Sequence, residues 1–195
     1  MDKNLVVVGG GVESCEGIRI AKRMGLKVIV ADGNSSAPGL ALADWPLVAS
    51  TYDGNAILAK TRALISSGLV VHGVIAMCAD VPVSVATVAH ALGLPGLTLQ
   101  SAHWVADKLL MKQQLEARGV PIPGYAAVED AQGIAVQAER LGLPIVVKPV
   151  DSRGARGVLL IDRQDQFERA YSVAHDESPT GRVMVEEYLP GPQFS

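Results

Sequence analysis

Ile145-Val-Val-Lys148-Pro149-Val-Asp151-Ser152-Arg153-Gly154-Ala155-Arg156-Gly157-Val158-Leu-Leu-Ile161 is the stretch from which the second half of the chain can be read. It reads as strand, loop, strand: the apolar run Ile145–Lys148 closes on a lysine, Asp151–Gly157 is rich in glycine, and Val158–Ile161 is apolar again. A lysine at a strand end is held by the sheet and can point one fixed cation at an anion. At a few ångströms and an effective dielectric of about 20, such a contact has a gross attraction of roughly 4 kcal/mol before desolvation. Glycines and serine in the loop let backbone N–H groups approach anionic oxygens closely. The loop joins strand to strand and no GxxxxGK[ST] occurs, so this is not a P-loop.

Two further elements flank the stretch. Lys108 lies in Ala106-Asp107-Lys108-Leu-Leu-Met-Lys112, on a helix that Ser101 can cap and that runs to about Ala117 before Gly119, Pro121 and Pro123. Val185-Glu186-Glu187-Tyr188-Leu189-Pro190-Gly191 ends a last strand, Arg182–Glu187. A carboxylate at a strand end can accept from an adenine amino group, and the extended backbone after it can read the ring edge. Singly, each piece has a plain reading: a solvated helix face, a flexible hairpin, a strand end. In this order they describe a polyphosphate site beside an adenine pocket. A strand (Tyr125–Val128), a helix (about Asp130–Leu141) and a helix (about Gln164–Ala174) complete this half.

The first hundred residues alternate strand and helix: Leu5–Val8, Ser14–Met24, Lys27–Ala31, a third strand at Pro46–Ala49, Asn55–Ser66, Val71–Met77 and Val81–Leu92. Such alternation, with apolar strands, predicts a parallel sheet covered on both faces. Gly93-Leu94-Pro95-Gly96 is a turn cluster that predicts a domain boundary, giving domains 1–97 and 98–195. Gly9-Gly10-Gly11 closes the first strand, and Asp32 follows Gly11 by 21 positions, as in dinucleotide-binding turns. Counted from Gly9, however, GxGxxG needs glycine where Ser14 stands, and Glu13 puts a negative charge where phosphate would lie. A Rossmann-like turn that binds no dinucleotide fits better.

Composition narrows the classes. With 195 residues, one or two domains are expected at about 150 residues each. Hydrophobic residues at 49% argue against a disordered chain. Seventeen Lys and Arg against 20 Asp and Glu leave a net charge of −3, without the basic face that nucleic acid needs. Cys15 and Cys78 form no CxxC, and the four histidines show no ligand spacing, so neither a disulfide framework nor a metal site is expected. Leu69–Ala79, the most apolar stretch, is too short to span a bilayer. A cytoplasmic protein is expected, without membrane or nucleic-acid partners.

The second-half motifs resemble those of the ATP-grasp superfamily, and the resemblance extends over essentially the whole chain. It implies an α/β fold in which residues 1 to about 97 form a Rossmann-like pre-ATP-grasp domain. Residues from about 98 would begin the α+β first lobe of the grasp fold. By that similarity Lys108 and Lys148 contact ATP phosphates, Lys148 also lies near adenine, and Ser152, Arg153, Gly154, Ala155, Arg156 and Gly157 form a lid. Glu186 accepts from the adenine amino group, and the backbone of Glu187, Tyr188 and Leu189 lines the adenine edge. Gln193 stands where family members carry an acid for the ribose hydroxyls. The resemblance implies ATP, Mg²⁺, a carboxylate and an amine (or thiol) joined through an acyl phosphate, and a homodimer. Metal ligands and catalytic residues are expected on a second lobe, C-terminal to Ser195, so the chain is expected to be the N-terminal part of a longer ligase. Glu13, Asp53 and Asp80 are candidates for the substrate cleft, and equally for caps and turns. A biotin carboxylase fits less well, because its lid carries a longer glycine run.

Two other classes remain open from sequence. One is a nicotinamide or flavin oxidoreductase built on the first domain, which leaves Lys108, Lys148 and the loop unexplained. The other is a non-catalytic nucleotide-binding module.

Overall fold

The computed structural model describes residues 3–192. They divide between Ala106 and Asp107 into two compact units. The first runs β1 (Lys3–Val8), α1 (Ser14–Arg23), β2 (Leu26–Asp32), α2 (Pro38–Leu42), β3 (Trp45–Val48), α3 (Gly54–Ser66), β4 (Gly73–Ile75), α4 (Pro82–Ala91) and α5 (Leu99–Ala106). The second runs α6 (Lys108–Glu116), β5 (Tyr125–Val128), α7 (Ala131–Leu141), β6 (Ile145–Pro149), β7 (Leu159–Ile161), a 3₁₀ turn (Gln164–Gln166), α8 (Phe167–Asp176) and β8 (Val183–Glu187).

In the first unit all strand pairs are parallel, in the order β3-β2-β1-β4. Val6, Val7, Val8 and Val28, Ile29, Val30 are fully buried in succession, so both faces of the sheet are covered. Val6, Val8, Ile29 and Ala31 pack with Ile57, Leu58 and Val88 of α3 and α4. Val7, Val28 and Val30 pack with Ile18, Ala21 and Leu40 of α1 and α2. The expected fourth strand is shorter than Val71–Met77, and α2 is a five-residue helix whose brevity hides it from periodicity.

The second unit is an antiparallel sheet in the order β5-β8-β6-β7. Val128, Ile145, Val147, Ile161, Val183 and Val185 meet Ile134, Ala138, Phe167, Ala170 and Ala174 of α7 and α8 on one face. Alternation puts the intervening residues on the other face, in rows across the sheet. Tyr125 lies opposite Glu186 and Glu186 opposite Val146; Ala127 lies opposite Met184 and Met184 opposite Lys148.

One expectation needs correction. The helix drawn from Ser101 to Ala117 is two helices, broken where Asp107 turns extended (φ −122°, ψ 111°) and its carboxylate accepts from Leu110 N at 2.9 Å. That capping bond satisfies a first-turn N–H that a continuous helix would have paired with backbone. The break coincides with the division of the chain into its two compact units. α5 belongs with the first unit, where it packs against α4 and buries Ala102 completely.

Candidate functional site

A buried ion cluster occupies the open face of the second sheet. Glu186 is engaged by two ammonium groups: Lys112 Nζ at Oε1 and Lys148 Nζ at Oε2. Side-chain exposures are 6% for Lys112, 17% for Lys148 and 12% for Glu186, so all three are largely removed from water. Lys148 reaches Glu186 from the neighbouring strand, because Val146 is opposite Glu186 and Lys148 is two residues further along the same face. Lys112 comes from α6, one turn beyond Lys108, and lies 5.5 Å from the centre of the Tyr125 ring. The Tyr125 hydroxyl donates to Glu116 Oε2 at 2.8 Å, one further turn along α6. Burial opposes ionisation of Glu186, but the two lysines outweigh it and hold its carboxyl below the ordinary range. Two ammonium groups against one carboxylate leave a formal charge of +1, which favours an added anion.

The loop adjoins this cluster through β6. Lys108 begins α6, its N–H donating to Val150 O at 3.0 Å, and its Nζ donates to Ser152 O at 2.6 Å and Val150 O at 3.3 Å. Asp107 caps α6 with one oxygen and receives Arg182 Nη2 at 2.5 Å on the other, so the start of α6 is fixed to the approach to β8. Asp151 accepts from the hydroxyls of Ser178 and Thr180, both at 2.6 Å, which fixes the foot of the loop. Ser152 is 7% exposed, and its Oγ has no hydrogen-bond partner. A buried hydroxyl without a partner costs about 1–3 kcal/mol, so it stands ready for a ligand acceptor. Gly154, Ala155 and Gly157 all take positive φ (65°, 57°, 70°), turning the chain tightly through the loop. A Cβ on Gly157 would lie 2.8 Å from both Glu177 Cβ and Pro149 Cγ, so only glycine fits there.

The stretch that carries this arrangement has known relatives. Residues 113–191 match the family of the ATP-grasp domain. Over that part the chain is similar to the ATP-grasp domain. It is 33% identical over 82 residues to an L-arginine-specific L-amino acid ligase of Bacillus subtilis, covering 42% of this chain and 20% of that protein. It is 35% identical over 108 residues to a D-alanine–D-alanine ligase of a Synechococcus strain, covering 53% and 33%. A carboxyaminoimidazole ribonucleotide synthase from Aspergillus clavatus, solved with ATP, shares the fold at a TM-score of 0.77 and 21% identity, covering 96% and 47%. The chain thus spans less than half the length of each of these proteins.

The expected site residues divide within the second unit. Lys148 and Glu186 meet on the open face of the sheet, and the loop Ser152–Gly157 follows the strand that carries Lys148. Lys108 lies at the same end but spends its ammonium on the carbonyls of Val150 and Ser152. Glu187 serves the sheet: its N–H donates to Gly124 O at 2.8 Å, and its Oε2 accepts from Gly124 N at 3.0 Å. Tyr188 and Leu189 follow as exposed residues, and Gln193 lies outside the described residues. Lys112 was not foreseen. Its spacing of four from Lys108 places both lysines on one helical face, which is the signal that could have found it.

In the first unit the glycine turn is occupied by its own backbone. Asp32 Oδ2 accepts from Gly10 N at 2.7 Å and Oδ1 from Asn34 N at 2.8 Å. Gly39 N donates to Gly10 O at 2.8 Å, and any Cβ on Gly39 would strike Gly10. The carboxylate a ribose diol would need is thus already engaged within the turn. Asp53 caps α3, accepting from Ala56 N at 2.9 Å. Glu13 precedes α1 and its carbonyl accepts from Cys78 Sγ at 3.2 Å, while Asp80 is exposed in the same β4–α4 loop as Cys78. The loops that carry Glu13 and Asp80 thus touch through Cys78, and Asp53 has a structural task.

Among the described residues no three His, Cys, Asp or Glu side chains gather as a metal site. No helix among them is long and apolar enough to cross a membrane.

Proposed function

We propose that this chain is the nucleotide-binding part of an ATP-dependent carboxylate–amine ligase. The observation that carries the reading is Glu186, a buried carboxylate at a strand end with two lysines on it, beside a hairpin loop holding an unpartnered serine hydroxyl. Glu186 accepts from the adenine amino group. Lys148 turns its ammonium to the phosphates, where the surplus positive charge favours them. Ser152 Oγ and the loop N–H groups donate to phosphate oxygens, and Lys108 fixes the foot of that loop as a lid.

The chemistry is two displacements. A carboxylate oxygen of the acid substrate attacks the γ-phosphorus, the bond from γ-phosphorus to the bridging oxygen breaks, and ADP leaves with that electron pair. The amine then attacks the acyl carbon, loses a proton, and phosphate departs. Positioning and charge neutralisation carry such transfers. Mg²⁺ belongs to this reading, but the described residues do not fit a metal site, so no step is assigned to it here. The molecule acts on small substrates in solution, as a homodimer in the cytoplasm.

A fluorescent ATP analogue titrated against the chain, with NADH alongside, tests the reading. ATP binding that Lys148→Ala weakens at least about tenfold (about 1.4 kcal/mol) supports it. NADH binding that is indifferent to Lys148 overturns it in favour of an oxidoreductase.

A further inference from the structure

Glu186 has more positive charge around it than ionisation requires. Lys148 alone would neutralise it, yet Lys112 is also there and is the more deeply buried of the two. The lysines differ in setting. Lys148 ends β6, next to the loop, with 17% of its side chain exposed. Lys112 is 6% exposed, faces the Tyr125 ring, and lies on a helix tied to β5 through Glu116 and Tyr125. If a triphosphate competes for either ammonium, Lys148 is the one free to turn. Glu186 would then be left buried, and a buried carboxylate without a counter-ion is strongly destabilised.

We propose that Lys112 is the permanent counter-ion of Glu186, holding that carboxylate in place for the base while Lys148 serves the phosphates. The inference rests on the nucleotide reading above. It makes Lys112 a positioning residue that decides which base is accepted. An ionised Glu186 only accepts hydrogen bonds, so it favours the amino group of adenine and repels the carbonyl oxygen at the same place in hypoxanthine. A protonated Glu186 would donate, and the preference would reverse. The groups facing Glu186 are Lys112 from α6, Lys148 from β6 and Tyr125 from β5, with Glu116 held on the Tyr125 hydroxyl and Glu187 engaged by Gly124. Loss of Lys112 removes one of the two contacts that keep the Glu186 carboxyl below its ordinary range.

The test is the ratio of ATP to ITP affinity between about pH 5 and about pH 8, in which titration of the shared triphosphate cancels. In the unaltered chain the ratio favours ATP and stays flat over most of this range. In Lys112→Met it falls at least about tenfold toward the acid end, and Lys112→Arg restores the flat profile. Lys148→Met weakens both nucleotides together and leaves the ratio unchanged, which tests the inference even should Lys112→Met not fold. A Lys112→Met ratio equal to that of the unaltered chain, or a ratio that collapses in Lys148→Met, overturns the role of Lys112 while leaving the nucleotide reading standing. Absence of binding by either nucleotide to the unaltered chain overturns the reading itself, and the inference with it.

Discussion

Glu186→Gln changes one atom in the side chain and leaves two ammonium groups facing a neutral amide. Lys112 and Lys148 are 6% and 17% exposed, so neither can recover its hydration without moving. Removing one partner from a buried ion pair costs about 3–5 kcal/mol. Lys148, nearer the solvent, can swing outward, which places the expected loss near the lower end, at about 3 kcal/mol. The mechanism also predicts its own relief. Lys112→Met added to Glu186→Gln removes the stranded charge, so the double variant should be more stable than Glu186→Gln alone, with a coupling of about 1–3 kcal/mol. The carboxyl of Glu186 is depressed in the folded chain, so its contribution is fully present above the ordinary value of 4.5 and is lost as pH falls through the lowered value. Glu186→Gln should therefore flatten this part of the acid limb of the stability curve. Urea unfolding followed by circular dichroism, at neutral pH and at successive acid pH values, measures all three effects. A Glu186→Gln chain within about 0.5 kcal/mol of the original, or a double variant weakened by the sum of the single effects, would refute the reasoning.

Other expectations follow from single contacts. Asp107→Ala removes the cap of α6 and the partner of Arg182, and should cost about 1–2 kcal/mol in urea unfolding, whereas Asp107→Asn keeps the cap and should cost less than half of that. Gly157→Ala forces a Cβ to 2.8 Å from Glu177 and Pro149 at positive φ, and should destabilise by about 1–3 kcal/mol on the same assay. Asp32→Ala strands Gly10 N and Asn34 N and should lower stability by about 1–2 kcal/mol without changing ATP affinity. A loss of ATP affinity with unchanged stability in Asp32→Ala would move the nucleotide to the first unit.

Much of the architecture was legible because its strands are apolar on every residue or on alternate ones. Val6–Val8 and Val28–Val30 announce a sheet covered on both faces, and the glycines after Lys148 announce a turn between strands. The break in the helix at Asp107 was harder to see, since Ser101 offered an equally good cap and nothing in the periodicity separates one helix of seventeen positions from two shorter ones. That break hid Lys112. With α6 starting at Lys108, the first lysine lies in the opening turn and reaches the backbone of Val150 and Ser152, and the next turn delivers Lys112 to Glu186. The sheet contacts of Glu187 were hidden for a different reason. That residue ends β8 beside Gly124, and strand register, which only the partner strand supplies, commits its N–H to the sheet.

Amide hydrogen exchange on the full chain with and without ATP tests the central claim most directly, because it locates the nucleotide as well as detecting it. Slower exchange at residues 150–158 and 187–189 and in α6, with Gly9–Gly11 and Asp32–Asn34 unchanged, is the predicted result. Protection at the glycine turn of the first unit, with the second unit unaffected, would contradict the account.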